Sequence, residues 1–332
     1  MMQQWSDISK KQMKNILFGN GLGRTYWSKF SYKSLLETFG DEPVGRYLCI
    51  RELFTKLRTD NFEEVLRAIF HAYQVSIDNQ DATRTLYVDV RKALISAVNA
   101  VHPSPKDIPS NGIGQCLSAY SSVFTTNYDL IPYWAILNGH SDKFVDYFWE
   151  NSSFNLRNVD VHKNKIPVHF LHGALHLQSE YISDTQKRSI SLESGIEGAL
   201  EQGFINKFPL FITEGKSELK LNKIRSNSYL NFCYEKLCQS SGGMVVYGHE
   251  LSSDYDGHIV DAIKQSKNPT IAVSVFSGLS NSDKEKFMHT VQAQFPEGNK
   301  EVLFYESKEH PLAQQNEPKQ ALGSDSTEAI PP

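Results

Sequence analysis

The chain has 332 residues, 40% of them hydrophobic and 22% charged, with a formal net charge of −4. That balance describes a globular protein with ample material for a core, and the lack of a basic excess argues against nonspecific nucleic-acid binding. No uncharged apolar run approaches the ~18–20 residues of a bilayer span. The start Met1–Asp7 (MMQQWSD) has neither the basic nor the apolar region of a secretion signal. The four cysteines, Cys49, Cys116, Cys233 and Cys238, are dispersed and form no Cys-x-x-Cys pair. They predict free thiols in a reducing cytosol, without a disulfide framework or a structural metal. The expectation is a cytoplasmic protein with no metal, no membrane partner and no nucleic-acid partner.

The first apolar run opens Asn15-Ile-Leu-Phe-Gly-Asn-Gly-Leu-Gly23 and reads as a strand running into a glycine-rich turn. Helical spacing follows over Tyr26–Phe39 and again near 44–57, 62–78, 81–101 and 129–138. In Phe62–Tyr73, apolar positions recur at three- and four-residue steps, and His102-Pro-Ser-Pro105 ends the stretch before it. This much helix exceeds what a simple crossover needs, so residues about 40–110 read as a helical insertion.

Two further strands end in polar clusters, Ser121-Ser-Val-Phe-Thr-Thr-Asn-Tyr-Asp129 and Ile166-Pro-Val-His-Phe-Leu-His-Gly173. A polar stretch runs from there to about 190, then a helix over about 192–206, a strand from Phe208, and helices near 217–226 and 228–240. Gly243–Gly248 is a buried strand bracketed by glycine. It is followed by a helix over Asp254–Gln265, a strand over Thr270–Phe276, a helix over Asp283–Phe295 and a strand over Glu301–Tyr305. Strand–helix alternation of this kind predicts an α/β fold with an open, mostly parallel sheet. Residues 1–306 form one domain on this reading, with a second, partly helical insertion over about 176–240; the polar segment 307–332 reads as a disordered tail.

In a parallel sheet these strand ends reach the carboxyl edge together, where ligands bind. Gly19, Asn20, Gly21 and Gly23 are candidates for a phosphate-approaching turn, although such turns also occur without ligands. Thr126 and Asn127 could cap the next helix, with Asp129 in its first turn. The alternative places Asn127 on a ribose hydroxyl or a water, and Asp129 on an amide or ribose group. His172 is a packing histidine or a general base, with Gly173 admitting a ligand and His176 as the nearby competitor. Gly248 and His249, in Tyr247-Gly-His-Glu-Leu251, either cap a helix or complete a nucleotide pocket.

The ordered series GNGLG, TTNYD, LHG and YGHEL resembles the sirtuin-like (Sir2-like) superfamily, in particular its bacterial branch of uncharacterised or defence-associated NAD-consuming domains. The likeness spans about residues 14–306 and is most specific at TTNYD and LHG. It implies a Rossmann-like fold with NAD across the strand ends, Asn127 orienting ribose or water, Asp129 at the nicotinamide side and His172 as base. Gly19–Gly23 would be the phosphate loop, and Gly248 with its neighbours a later nucleotide contact. The four-cysteine zinc module of deacylating sirtuins is missing, and Gly-Asn-Gly stands where Gly-Ala-Gly is usual. The resemblance therefore implies cleavage of NAD to ADP-ribose and nicotinamide, possible in an anti-phage setting, over protein deacylation. NAD-dependent ADP-ribosyl transfer or deacylation, and a non-catalytic NAD or ADP-ribose sensor, are the alternatives. Unchecked NAD hydrolysis would be toxic, which calls for control by a homo-oligomer or an activating protein partner.

Overall fold

A run such as Met244-Val-Val-Tyr247 has no polar face to offer solvent, so it is stable as a strand where both faces of a sheet are covered. The computed structural model describes residues 2–26, 40–44, 48–59, 62–76, 78–103, 105–149, 152–180, 185–187, 207–212, 216–296 and 300–314. In chain order the strands are β1 (Asn15–Phe18), β2 (Pro43–Val44), β3 (Leu48–Cys49), β4 (Ser122–Thr125), β5 (Phe144–Val145), β6 (Ile166–Phe170), β7 (Gly173–Glu180), β8 (Gln186–Lys187), β9 (Lys207–Phe211), β10 (Met244–Tyr247), β11 (Thr270–Val275) and β12 (Glu301–Glu306).

Seven of them form the central sheet in the order β12-β11-β10-β1-β4-β6-β5, and every pairing in it is parallel. The fold is α/β and Rossmann-like, as the alternation of elements predicts. From β1 the chain builds outward through β4 and β6, then returns to lay β10 on the other side of β1. The strand order therefore reverses beside β1, and open α/β sheets bind ligands at the carboxyl ends next to such a reversal. Ile16, Leu17, Val123, Val245, Val246, Ile271 and Val273 are fully buried along the middle of this sheet. Each such side chain contributes about 1.5–3 kcal/mol, so the strand ends project from a rigid base.

The expected helical insertion is present as the helices Ile50–Leu57, Phe62–Val75 and Gln80–Val101, the last two packed together. Its entry differs from the expected helix over 44–57. An antiparallel β2–β3 hairpin comes first, and the helix starts only at Ile50, where Cys49 and Glu52 form a capping box. It stops at Arg58, which adopts the left-handed conformation. The helix expected over Tyr26–Phe39 lies outside the described residues beyond Tyr26, and the described helix leading up to it is Gly21–Tyr26.

The polar stretch expected after His172 is instead β7, paired antiparallel with β8 and β9. Leu175 and Leu177 are buried on this strand, but so are His176, Gln178 and Ser179. Both faces are covered, and the buried polar residues hid the strand from a pattern-based reading. The helix expected over 192–206 lies outside the described residues. Residues 307–314 differ from the expected disordered tail. Ser307–Glu309 is a 3-10 turn and Pro311–Gln314 a helix. Between them His310 is buried, with its Nε2 3.0 Å from the Tyr120 hydroxyl and its ring 4.3 Å from that of Trp5. Residues 315–332 lie outside the described residues.

Candidate functional site

Adjacent strands β10, β1, β4 and β6 carry Gly248 and His249, Gly19–Gly23, Thr126–Asp129, and His172 to one carboxyl edge. Backbone bonds fix these loops on one another. The Thr126 N–H donates to Phe18, the Leu171 N–H to Thr125 and the Leu175 N–H to Tyr128. The candidate residues of four separate segments thus share one edge, as the sequence predicts.

The loops after β1 and β10 meet backbone to backbone. Gly19 N–H donates to the Tyr247 carbonyl at 3.0 Å, and Gly21 N–H to the Gly248 carbonyl at 2.8 Å. A Cβ on Gly21 would stand 2.4 Å from the Gly248 Cα, so contact between the loops accounts for both glycines. The Gly19 and Gly21 amides are spent on this contact. The Asn20 side chain offers a further donor, an Nδ2 buried without a partner among the described residues. Gly23 lies within the helix Gly21–Tyr26 and is buried. Gly173 has φ +73°, and the Leu210 carbonyl of β9 would lie 2.1 Å from a Cβ there. That space is filled by protein, so packing of β7 on β9 is what requires this glycine.

At the end of β4 the expected helix start is built by Asp129. Its Oδ1 accepts the Ile131 N–H at 2.8 Å at the head of the helix Ile131–Leu137. Neither Thr126 nor Asn127 caps that helix; the Asn127 N–H is itself bonded to Thr125 Oγ1 at 3.0 Å. Thr126 is half-buried beside them. Both amide atoms of Asn127 and the second carboxylate oxygen of Asp129 are buried with no hydrogen-bond partner. Burial pushes the Asp129 carboxyl up to about 6, against the opposing pull of the Ile131 N–H and the nearby Asn127 amide. Asn127 thus favours the ionised form by proximity without completing a bond of ordinary geometry.

His172 enters a polar network that the sequence reading missed. Its Nε2 lies 2.9 Å from Nε2 of His258, whose Nδ1 lies 3.0 Å from the Ser217 hydroxyl. Ser217 Oγ also accepts the His258 N–H at 2.7 Å. That amide is reachable because the helix Ser253–Gln265 is kinked at Asp256. Lys220 Nζ lies 3.1 Å from Asp256 Oδ1, and His249 Nε2 lies 3.9 Å from Asp256 Oδ2. Nδ1 of His249 accepts the Leu251 N–H at 3.0 Å.

Burial, reinforced by Lys220 and His258, holds the His172 imidazole well below its usual value. Burial likewise brings His258 down to about 4 and lowers His249. For Asp256 burial acts upward, but His249, His172 and Lys220 together hold its carboxyl well below the usual range. The pair His172–His258 is therefore neutral at neutral pH and shares a single proton between its facing nitrogens. A neutral imidazole can accept a proton from a reacting water.

His172, Asp256 and His258 each offer a ligand atom within 4.8 Å of the others, a spacing a divalent metal could use. The Lys220 ammonium already neutralises Asp256, and it would oppose a cation there. His176 joins none of this: its ring is stacked 4.3 Å from that of Tyr133 and edge-on to Phe170, with both nitrogens buried and unpartnered.

Asp256 follows the Tyr247–Leu251 junction by five residues, and His258 comes two residues later. That spacing was the available signal. Ser217 and Lys220 gave none, because the helix Ser217–Ser226 reads as a polar surface helix.

All four cysteines are free thiols, and among the described residues no helix is long and apolar enough to cross a membrane. A comparison with curated proteins gives no match. Residues 16–310, most of the chain, match a family described as a domain of unknown function, DUF4917. With this span covering the whole central sheet and its carboxyl edge, the protein belongs to the DUF4917 family.

Proposed function

We propose that the protein cleaves the N-glycosidic bond of NAD, releasing nicotinamide and ADP-ribose at the carboxyl edge of β1, β4, β6 and β10. One observation carries this reading. Asn20 Nδ2, the Asn127 amide and one Asp129 oxygen are buried without partners at the ends of neighbouring strands. Buried polar groups are nearly always paired, so orphaned ones at a switch-point crevice point to a polar ligand or to ordered water. The likeness of TTNYD and LHG to sirtuin-like sequences supplies the identity of that ligand.

In this mechanism the C1′–N bond breaks and its electron pair leaves with nicotinamide. Positive charge grows on the ribose carbon, and the Asp129 carboxylate, ionised near neutral pH, stabilises it. Water held by the Asn127 amide attacks that carbon. Its proton passes to His172 Nδ1, while the Nε2–H of that ring donates to His258, itself held by Ser217. Asn20 donates to the phosphates in place of the glycine amides.

Binding of NAD or ADP-ribose without turnover is the second reading. It is favoured by the His172–His258 contact, which already engages one of the two ring nitrogens a base could use. Incubation of the purified protein with NAD, with chromatography for nicotinamide and ADP-ribose, separates the two when a titration of binding runs alongside. Equal release of both products supports the hydrolase. Saturable binding without release supports the sensor, and absence of binding defeats both.

A further inference from the structure

A cavity of about 460 Å³ lies away from these residues, at the amino-terminal edge of β1, β4 and β6. Lys14, Lys163, Lys165 and Lys236 line it, against a single carboxylate, that of Asp160. None of the four lysines is paired with a carboxylate among the described residues. Unpaired ammonium groups gathered around one concavity repel each other, in a chain whose net charge is −4. An anion in the cavity relieves that repulsion.

The floor is aromatic and rigid. His169 stacks on Phe124 with ring centroids 4.6 Å apart, and its Nδ1 donates to the Val123 carbonyl at 3.2 Å. With that nitrogen protonated, Nε2 is the acceptor, and the Tyr147 hydroxyl donates to it at 3.3 Å. Tyr147 holds this position with φ +72°, a left-handed conformation that a tyrosine adopts at a cost and that the surrounding contacts must sustain. Phe232 closes another side, with Lys236 Nζ 5.3 Å from its ring centre. The lining thus combines flat apolar walls with a cationic rim, and the volume lies within the ~300–1,000 Å³ of small-molecule sites.

We infer that this cavity is a second ligand site, which takes a phosphate-bearing organic anion of nucleotide size, with its ring toward Tyr147 and Phe232 and its phosphates toward the lysines. It is independent of the NAD-cleaving reading, because it shares no residue with the carboxyl edge.

The test is calorimetric titration of the full chain with ADP, inorganic pyrophosphate and adenosine as separate probes, in wild type, Lys163→Glu/Lys165→Glu and His172→Ala. ADP should bind saturably, more tightly than adenosine, and more weakly as salt is raised. The double charge reversal should weaken ADP binding by at least about tenfold, with an unchanged far-ultraviolet spectrum, and His172→Ala should leave it intact. If the double variant misfolds, Lys14→Glu/Lys236→Glu takes its place. Pyrophosphate binding as tightly as ADP would keep the anion site and remove the aromatic contribution. Adenosine binding as tightly as ADP, indifference to both charge reversals, loss in His172→Ala alone, or no saturable binding would each overturn the proposal.

Discussion

At the carboxyl edge of the central sheet, Asn20, Asn127 and Asp129 keep buried polar atoms without partners, while a network of neutral histidines around the Lys220–Asp256 pair fills the space beside them. At the amino edge, a cavity of about 460 Å³ is ringed by lysines with no ion-pair partner among the described residues. The first edge is made of loops that interlock, with imidazoles held neutral by burial; the second is a cationic concavity. Proton transfer needs fixed, desolvated partners, and the His172–His258–Ser217 series at the carboxyl edge supplies them.

The comparison breaks most visibly in the rate. Asn127→Ala and His172→Ala should each lower NAD cleavage by roughly 10²–10⁴-fold with the fold retained, whereas Lys163→Glu/Lys165→Glu should leave turnover without added nucleotide unchanged. Steady-state release of nicotinamide measures both. Full activity in well-folded His172→Ala would remove that residue from the mechanism.

Next in size is Lys220→Met, which leaves the Asp256 carboxylate buried without its ammonium partner. A loss of about 3–5 kcal/mol in denaturant unfolding is expected. A loss within the ordinary surface range would mean that solvent reaches the pair.

Asp129→Asn acts in the opposite direction. The folded-state carboxyl is raised from 3.8 to about 6 by burial, so the folded protein holds the proton more tightly than the unfolded chain. Stability from this group is full below the lower value and falls as pH rises through the higher one. Asn127 and Asp129 are therefore tolerated at a cost to folding, as expected of a site kept for chemistry. The asparagine variant should be more stable than wild type at neutral pH by up to about 3 kcal/mol, and the gain should vanish in acid. Thermal unfolding across pH checks this; a destabilised variant at neutral pH would mean the carboxylate is paired in solution.

The smallest effect is expected at the interlocked loops. Gly248 has φ +60°, and a Cβ on it would stand 2.6 Å from the Gly21 Cα. Gly248→Ala should cost about 1–3 kcal/mol and reduce NAD binding as the β1 and β10 loops part. Unchanged stability would show that the loops are not in contact in solution.

The two edges were also unequally legible in the sequence. β1, β4, β6 and β10 announce themselves as apolar, β-branched runs that break at Gly19, Thr126, His172 and Gly248, and the parallel sheet gathers those breaks by topology alone. Asp256, His258, Ser217 and Lys220 were hidden because a buried lysine on a polar helix looks like a surface residue. β7 was hidden because it buries His176, Gln178 and Ser179 along with its leucines. The lysine cavity left no local mark, since Lys14, Lys163, Lys165 and Lys236 come together only when β1, β6 and the helix Ser228–Cys238 are packed.

The most direct measurement is a crystal structure of the His172→Ala protein soaked with NAD. The account predicts the nicotinamide ribose at the carboxyl edge, within hydrogen-bond distance of Asn127 and Asp129, with phosphate on Asn20. A dinucleotide seated only in the lysine cavity, with Asn127 and Asp129 still without partners, would contradict it.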